Sequence, residues 1–257
     1  MLRLILCEFA KLKRKKLFQA AFLTTVIMPI FYPILLPSAD LDDMMSVVRE
    51  ENGFMILIPL SVVTAANLFF EEHDYDTLKN LLCVPVKKSR LVIAKLLVLL
   101  VFMAGYQLTG YGIAIILSAI SGIPLKGWGL QFLLTFGSGI LLWCAALPCI
   151  LLVVWFNKSY IISVIIAFAY MVFGYITHIS DTFVMVPLGL NFATFLPVPM
   201  IYRWLYQFHS PGGGESLAFY NRFMPYFVPT HIVFAVLFAE AVVCVALMAK
   251  IYRKQSV

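Results

Sequence analysis

The sequence predicts an all-α integral membrane protein with six transmembrane helices. Of the 257 residues, 62% are hydrophobic and only 12% are charged, and the mean hydropathy is +0.95. Soluble domains have an apolar share near one half, whereas a helix needs about 20 apolar residues to cross a hydrocarbon core. Six apolar runs meet or approach that length, at residues 17–36, 54–70, 91–121, 130–156, 160–179 and 229–249. We treat residues 1–257 as a single transmembrane domain.

Two of these runs have ambiguous starts. The first follows a basic stretch, as in a signal peptide, but it is too long for one, and the following LPSAD offers no small-residue cleavage site. We therefore expect a retained membrane anchor. The third run begins on Arg90 and Lys95, whose flexible side chains can snorkel to the headgroups, so we expect its lipid-facing part to start near Leu96.

Positive charge predicts the orientation of these helices. With the N-terminus in the cytoplasm, fifteen of the nineteen Lys and Arg residues fall on the cytoplasmic side, as the positive-inside rule requires. Both termini are then cytoplasmic, and the acidic stretch between the first two runs is an external loop. The net charge of +6 reflects this topology and attraction to anionic lipid, so we expect no nucleic-acid partner.

The segment 1–16 predicts a short basic helix that lies on the cytoplasmic membrane surface. Apolar side chains recur there at helical spacing, and most of the basic residues occupy the opposite face. The apolar positions are Leu2, Ile5, Leu6, Phe9 and Leu12. The alternative is a disordered basic tail that serves only to orient the chain, for which this spacing is unnecessary.

The segment 71–90 is a charged cytoplasmic loop between the second and third runs. Asp74 or Asp76 is a suitable N-cap, and Pro85 stops the helix that follows. The apolar stripe of that helix is Tyr75, Leu78, Leu81 and Leu82. A helix of about two turns has little stability alone, and the acidic residues at its start would be repelled by an anionic leaflet. Its apolar face is therefore expected to pack on a protein surface.

The segment 181–228 is the longest stretch between runs, and it is rich in aromatic residues and prolines. We expect short helices or a partly re-entrant hairpin at the external interface, where aromatic rings are favoured. Tyr202, Trp204 and Tyr206 are candidate contacts for an amphipathic substrate. The alternative is an aromatic belt that anchors the last two spans.

We predict no catalytic residue and no metal site in this chain. The phosphate-binding pattern G-x-x-x-x-G-K-[ST] is absent from the sequence. EEHDYD resembles the EExxxR motif of an intramembrane protease family, but Asp76 stands in the place of the arginine and partner histidines are missing. Capping and solvation account for His73, Asp74 and Asp76 without a metal. None of the five cysteines is external in the predicted topology, so we expect no disulfides.

Glu240 stands near the middle of the last apolar run, where an ionised carboxylate opposes insertion by several kcal/mol unless it is paired or protonated. It is either a partner in an interhelical hydrogen bond or a residue of gating or substrate contact.

Six spans with both termini inside, the N-terminal LILCEFAKLKRKK and the segment EHDYDTLKNLLCVPVKKSRLVIAKLL together resemble the ABC-2 type permeases, membrane subunits of bacterial ABC transporters. Within that group the chain is similar to the lantibiotic-immunity and bacitracin-resistance permeases. That family usually has Gly before the Thr-Leu pair and Arg after the Pro-Val pair, where this chain has Asp76 and Lys87.

The resemblance implies a role for each unusual segment. Residues 71–90 would form a coupling helix that docks on a separate ATPase subunit, and residues 181–228 would be re-entrant helices that cap the route. The implied ATPase contacts are Tyr75, Asp76, Thr77, Leu78, Leu81, Leu82, Lys87, Lys88 and Arg90.

The resemblance also implies partners and a substrate. Two permease chains, identical or not, would assemble with two ATPase subunits that bind the ATP and Mg, in the plasma membrane of a bacterial cell. The exporter would expel an amphipathic antimicrobial peptide, lantibiotic- or bacitracin-like, as self-immunity or resistance. The alternatives are a proton-coupled secondary transporter that uses Glu240 and an ATP-independent membrane sensor or anchor.

Overall fold

A computed structural model of the chain describes residues 1–35, 40–74, 88–156, 160–211 and 214–254. The regular structure in these ranges is helical throughout. The first half contains α1 (Leu2–Lys13), α2 (Lys16–Leu35), α3 (Leu41–Arg49), a π-helix (Glu51–Leu57), α4 (Ile58–Asp74) and α5 (Lys88–Ile120). The second half contains α6 (Trp128–Phe156), α7 (Tyr160–Ile179), α8 (Asp181–Val184), α9 (Pro197–Leu205), α10 (Glu215–Phe223) and α11 (Thr230–Lys254), with 3-10 turns at Phe192–Phe195, Tyr206–Phe208 and Met224–Tyr226.

Five helical stretches in the described ranges are long and apolar enough to cross a membrane. They are Leu41–Phe70, which joins α3, the π-helix and most of α4, and then α5, α6, α7 and α11. The first predicted span folds as α2, but its apolar stretch Phe18–Phe31 is shorter than the other five. A sixth crossing therefore stays a prediction.

The second span differs from its predicted bounds of 54–70, because helix begins at Leu41, inside the expected external loop. The three aspartates of that stretch have partners within the protein. Asp40 and Asp43 form a capping box, in which each side chain accepts a hydrogen bond from the other residue's backbone N–H. Asp42 is buried beside Arg49. Because these charges have internal partners, the stretch folds as helix.

The core lies where α4, α5, α6 and α11 meet, and α6 has the largest buried share of residues among the five apolar stretches. Gly139 lets α6 approach α5 closely, since a Cβ at this position would lie 3.1 Å from the Cα of Ala104. The indole of Trp143 donates to the carbonyl of Leu96 at 3.0 Å. In contrast, α7 and α11 expose apolar faces, as helices in contact with lipid do.

Contrary to our expectation from the sequence, Lys95 does not snorkel to the membrane surface but is buried inside the bundle. Its side chain is 1% exposed, its ammonium donates to the carbonyl of Leu68, and it lies 5.1 Å from the centre of the Phe69 ring. The carbonyl and the ring face replace water for this cation. The buried part of α5 therefore includes Lys95.

α1 is a helix, as the sequence predicts, and it packs against α5. Leu12 is buried, and Ile5 and Phe9 pack on the core. Leu2 and Leu6 remain exposed, which leaves an apolar strip for the membrane surface.

Candidate functional site

The two ends of the bundle carry different candidate sites. At one end α4 stops at Asp74 and α5 starts at Lys88, so residues 75–87 connect them there. Seven of the predicted ATPase contacts lie outside the described residues, namely Tyr75, Asp76, Thr77, Leu78, Leu81, Leu82 and Lys87. Lys88 and Arg90 belong to the first turn of α5, and Arg90 is exposed. These roles stay predictions.

The opposite end is covered by residues 181–211 and 214–228, which we call the cap. Within the cap, α9 packs closely against both α6 and α7 because each of these helices has a glycine at the contact. A Cβ on Gly174 would lie 3.1 Å from Val198, and one on Gly137 would lie 3.2 Å from the ring of Trp204. α9 is therefore held between two membrane helices.

The three candidate substrate contacts of the cap have different environments. Trp204 is 3% exposed, and its indole donates to the hydroxyl of Thr230 at 3.0 Å, which ties α9 to α11. Tyr202 and Tyr206 are half-buried. Their rings are 5.5 Å apart. Trp204 is thus a packing residue in this conformation, whereas the two tyrosines keep accessible surface.

Tyr206 lies at the centre of an aromatic cluster that joins α9 to α10. Its ring contacts Tyr202, His209, Phe219, Tyr220, Phe223 and Phe227. Burial is the main cause that raises the pKa of Tyr206 above its ordinary value, so the phenol stays a neutral hydrogen-bonding group. The cluster presents apolar ring faces together with a small number of hydroxyls.

A buried polar cluster beneath the cap was not predicted from the sequence. The carboxylate of Asp42 accepts a hydrogen bond from Gln131 Nε2 at 2.8 Å and one from the backbone N–H of Ser210 at 2.7 Å. Nδ1 of His209 lies 2.9 Å from the same carboxylate. Arg49 donates to Gln131 and lies 3.6 Å from Asp42. This polar cluster ties α3 and α6 to the cap.

A signal for half of this cluster was present in the sequence. Asp42 and Arg49 are seven residues apart, which puts them on one face of a helix. Gln131 and His209 are distant in sequence and carry no pattern that singles them out. The hydrogen bond to Asp42 raises the pKa of His209 above its ordinary value of 6.5, although burial opposes that shift.

Arg203 is a second polar group that sequence analysis missed. Its side chain is fully buried in α9, and Nε donates to the carbonyl of Tyr226 at 2.7 Å. Its two terminal nitrogens have no acceptor in the part of the chain that the structure describes. Burial lowers the pKa of this guanidinium.

Glu240 lies midway along α11 and is half-buried. Its Oε1 is buried and has no hydrogen-bond partner among the described residues. Cys144 of α6 and Tyr170 of α7 are within electrostatic range of the carboxyl group. The phenol of Tyr170 donates instead to the carbonyl of Ala145 at 2.6 Å. The role of Glu240 in gating or substrate contact stays a prediction.

The described residues contain no group of three His, Cys, Asp or Glu side chains arranged to hold a metal ion. The cap presents aromatic ring faces and tyrosine hydroxyls above the buried polar cluster.

Comparison with known proteins gives the family. Residues 4–174 match the sequence model described as ABC-2 family transporter protein, a match that covers more than half of the chain and runs from α1 into α7. No curated protein matches the chain. The chain belongs to the ABC-2 family of transporter proteins and is a membrane-embedded permease subunit of an ABC transporter, in which a separate ABC ATPase chain hydrolyses the ATP.

Proposed function

We propose that this permease serves an exporter that expels an amphipathic antimicrobial peptide, of the lantibiotic or bacitracin type, as self-immunity or resistance. The observation that carries the proposal is the surface of the cap. Half-buried Tyr202 and Tyr206 lie in the same segment as large apolar side chains that are exposed.

The exposed side chains of the cap include Leu190 at 99%, Phe192 at 66% and Phe195 at 50%. Exposed apolar surface of this kind marks a site of contact with a membrane or an apolar partner. An amphipathic peptide at the bilayer surface offers both an apolar face for these residues and polar groups for the tyrosine hydroxyls. A fully polar solute gains nothing from such a surface.

The predicted topology supports transport out of the cell. With both termini in the cytoplasm, the cap is external and the segment 71–90 faces the ATPase. Two permease chains with two ATPase subunits would assemble in the bacterial plasma membrane, and the ATPase subunits would bind ATP and Mg. The cap then lies on the side to which an exporter delivers its substrate.

The first test is uptake of a fluorescent cationic amphipathic peptide by everted vesicles that contain the permease and its ATPase. We expect uptake that requires ATP and persists when a protonophore removes the proton gradient. Uptake without ATP that a protonophore abolishes would favour the proton-coupled alternative through Glu240. Peptide binding without uptake would favour the sensor.

Two matched pairs of variants assign the contacts. Leu78→Asp puts a charge on the predicted apolar stripe, whereas Asn80→Asp adds the same charge off the stripe, so only the first should lose ATP-dependent uptake. Phe192→Ser should raise the peptide concentration for half-maximal uptake severalfold. Ile120→Ser changes a side chain that is 77% exposed outside the cap and should leave that concentration unchanged.

A further inference from the structure

We propose that a groove between the last turns of α6 and α11 binds one anionic phospholipid, a role that goes beyond the proposed export function. The groove has a volume of about 550 Å³, within the range of roughly 300–1,000 Å³ that is usual for ligand sites. It is lined by Leu151 and Trp155 of α6 and by Leu247, Lys250, Ile251 and Lys254 of α11.

Helical geometry explains why these residues share one groove. Leu151 and Trp155 are four residues apart, so both lie on the same face of α6. On α11 the four lining residues follow the spacing of three and four that defines one helix face. The two faces meet at the ends of the helices, where α6 stops at Phe156 and α11 at Lys254.

The groove has an apolar wall and a cationic edge. Trp155 is 65% exposed and Leu247 is 43% exposed, so the wall is accessible from the lipid. Lys250 and Lys254 are exposed and lie one helical turn apart. In the part of the chain that the structure describes, no ion pair joins either lysine to a carboxylate.

This arrangement matches the chemistry of an anionic phospholipid. Lysines at the end of a membrane helix reach the headgroup level, where each attracts anionic lipid. Tryptophan is likewise favoured at that level. The phosphate would lie against Lys250 and Lys254, and an acyl chain would cover Leu151, Trp155 and Leu247. A free phosphate would leave the apolar wall uncovered.

A second copy of the chain is a poorer occupant. A twofold interface brings the same surface patch of each subunit together. It would place the two lysines of one copy against those of the other, and like charges repel. An anionic lipid supplies the opposite charge, so the occupant of the groove is a lipid.

Native mass spectrometry of the purified chain in mild detergent tests the site. The probe is an equimolar mixture of phosphatidylglycerol and phosphatidylcholine. We expect one phosphatidylglycerol retained in preference to phosphatidylcholine. The double variant K250Q/K254Q should bind it roughly 25-fold more weakly, since each lysine near an anionic lipid contributes about fivefold. Arg253→Gln is the matched control, because Arg253 is exposed in the same turn but does not line the groove.

A second variant separates the groove from general surface charge. Leu247→Trp fills the groove and keeps both lysines, so it should also lose the retained phosphatidylglycerol. Equal retention by wild type and K250Q/K254Q would overturn the proposal, as would full retention by Leu247→Trp. An equal loss with Arg253→Gln would assign the effect to net charge and reject the site. Retention measured on the chain alone does not depend on peptide export, so the two proposals fail independently.

Discussion

Asp42→Asn is the substitution that tests the polar cluster beneath the cap most directly. It removes the negative charge that faces Arg49, whose side chain is 3% exposed, while Asp42 itself is 10% exposed. Removing one partner from a buried ion pair costs about 3–5 kcal/mol, because the other charge stays buried without compensation. Asn keeps one acceptor oxygen for Gln131 or Ser210. We therefore expect the free energy of unfolding to fall by about 3 kcal/mol, the lower limit of that range.

The measurement is the free energy of unfolding in mixed micelles titrated with sodium dodecyl sulfate. Asp40→Asn is the matched control, since Asp40 is an exposed N-cap and Asn caps a helix equally well. We expect that control to change the free energy by only a few tenths of a kcal/mol. The double variant Asp42→Asn/Arg49→Met removes both charges, so its loss should be smaller than the sum of the single losses by about 1 kcal/mol or more.

Two results would refute this reasoning. An Asp42→Asn variant as stable as Asp40→Asn would mean that the carboxylate stabilises neither Arg49 nor the cap. Strict additivity of the Asp42 and Arg49 substitutions would mean that the two groups do not interact energetically.

Two further predictions concern the polar cluster and the close approach of α6 to α5. Because the folded protein raises the pKa of His209, its bond to Asp42 stabilises the fold fully below pH 6.5, and this contribution is lost as the pH rises through that raised pKa. His209→Gln should remove this pH dependence in unfolding titrations between pH 6 and 9, and an unchanged slope would contradict the assignment. Gly139→Ala should lower the free energy of unfolding by about 1–3 kcal/mol, because the new methyl group meets the backbone of Ala104 at 3.1 Å. In the control Gly105→Ala the methyl group meets open space, so that variant should be neutral or stabilising by up to about 1 kcal/mol. Equal shifts in the thermal unfolding temperature of the two variants would refute the close approach.

Hydropathy and charge were sufficient to predict the membrane-embedded helical architecture, because a spanning helix must be apolar along its whole length. The family was predicted from a resemblance in the N-terminal segment and in residues 72–97, and hydropathy alone does not indicate it. The runs that became α5, α6, α7 and α11 had few charges, so their helices are found close to the predicted positions. The same rule failed for residues 41–53. Hydropathy counts Asp42 and Arg49 as two separate polar residues, while the fold lets them neutralise each other.

The candidate site was less predictable for a related reason. The function of Asp42 depends on Gln131 and His209, which are distant in the chain and meet only after folding. Trp204 was predicted to be a candidate substrate contact, and its burial, which depends on the absence of a side chain at Gly137 of another helix, was not predicted. A single sequence does not show which residues that are distant in the chain meet in the fold.

The described contacts form a path between the two ends of the bundle. α5 has 33 residues and, at 1.5 Å per residue, extends for about 50 Å from the segment 71–90 to the level of the cap. In the second half of α5, Gly110 packs against Val48 of α3, and a Cβ at this position would lie only 2.9 Å from Cγ1 of Val48. α3 in turn holds the cap, because Asp42 accepts the backbone N–H of Ser210. In the proposed exporter, these contacts offer a route by which a displacement of α5 reaches α3. A movement of α3 would either carry the cap with it or break the bonds of the cap to Asp42.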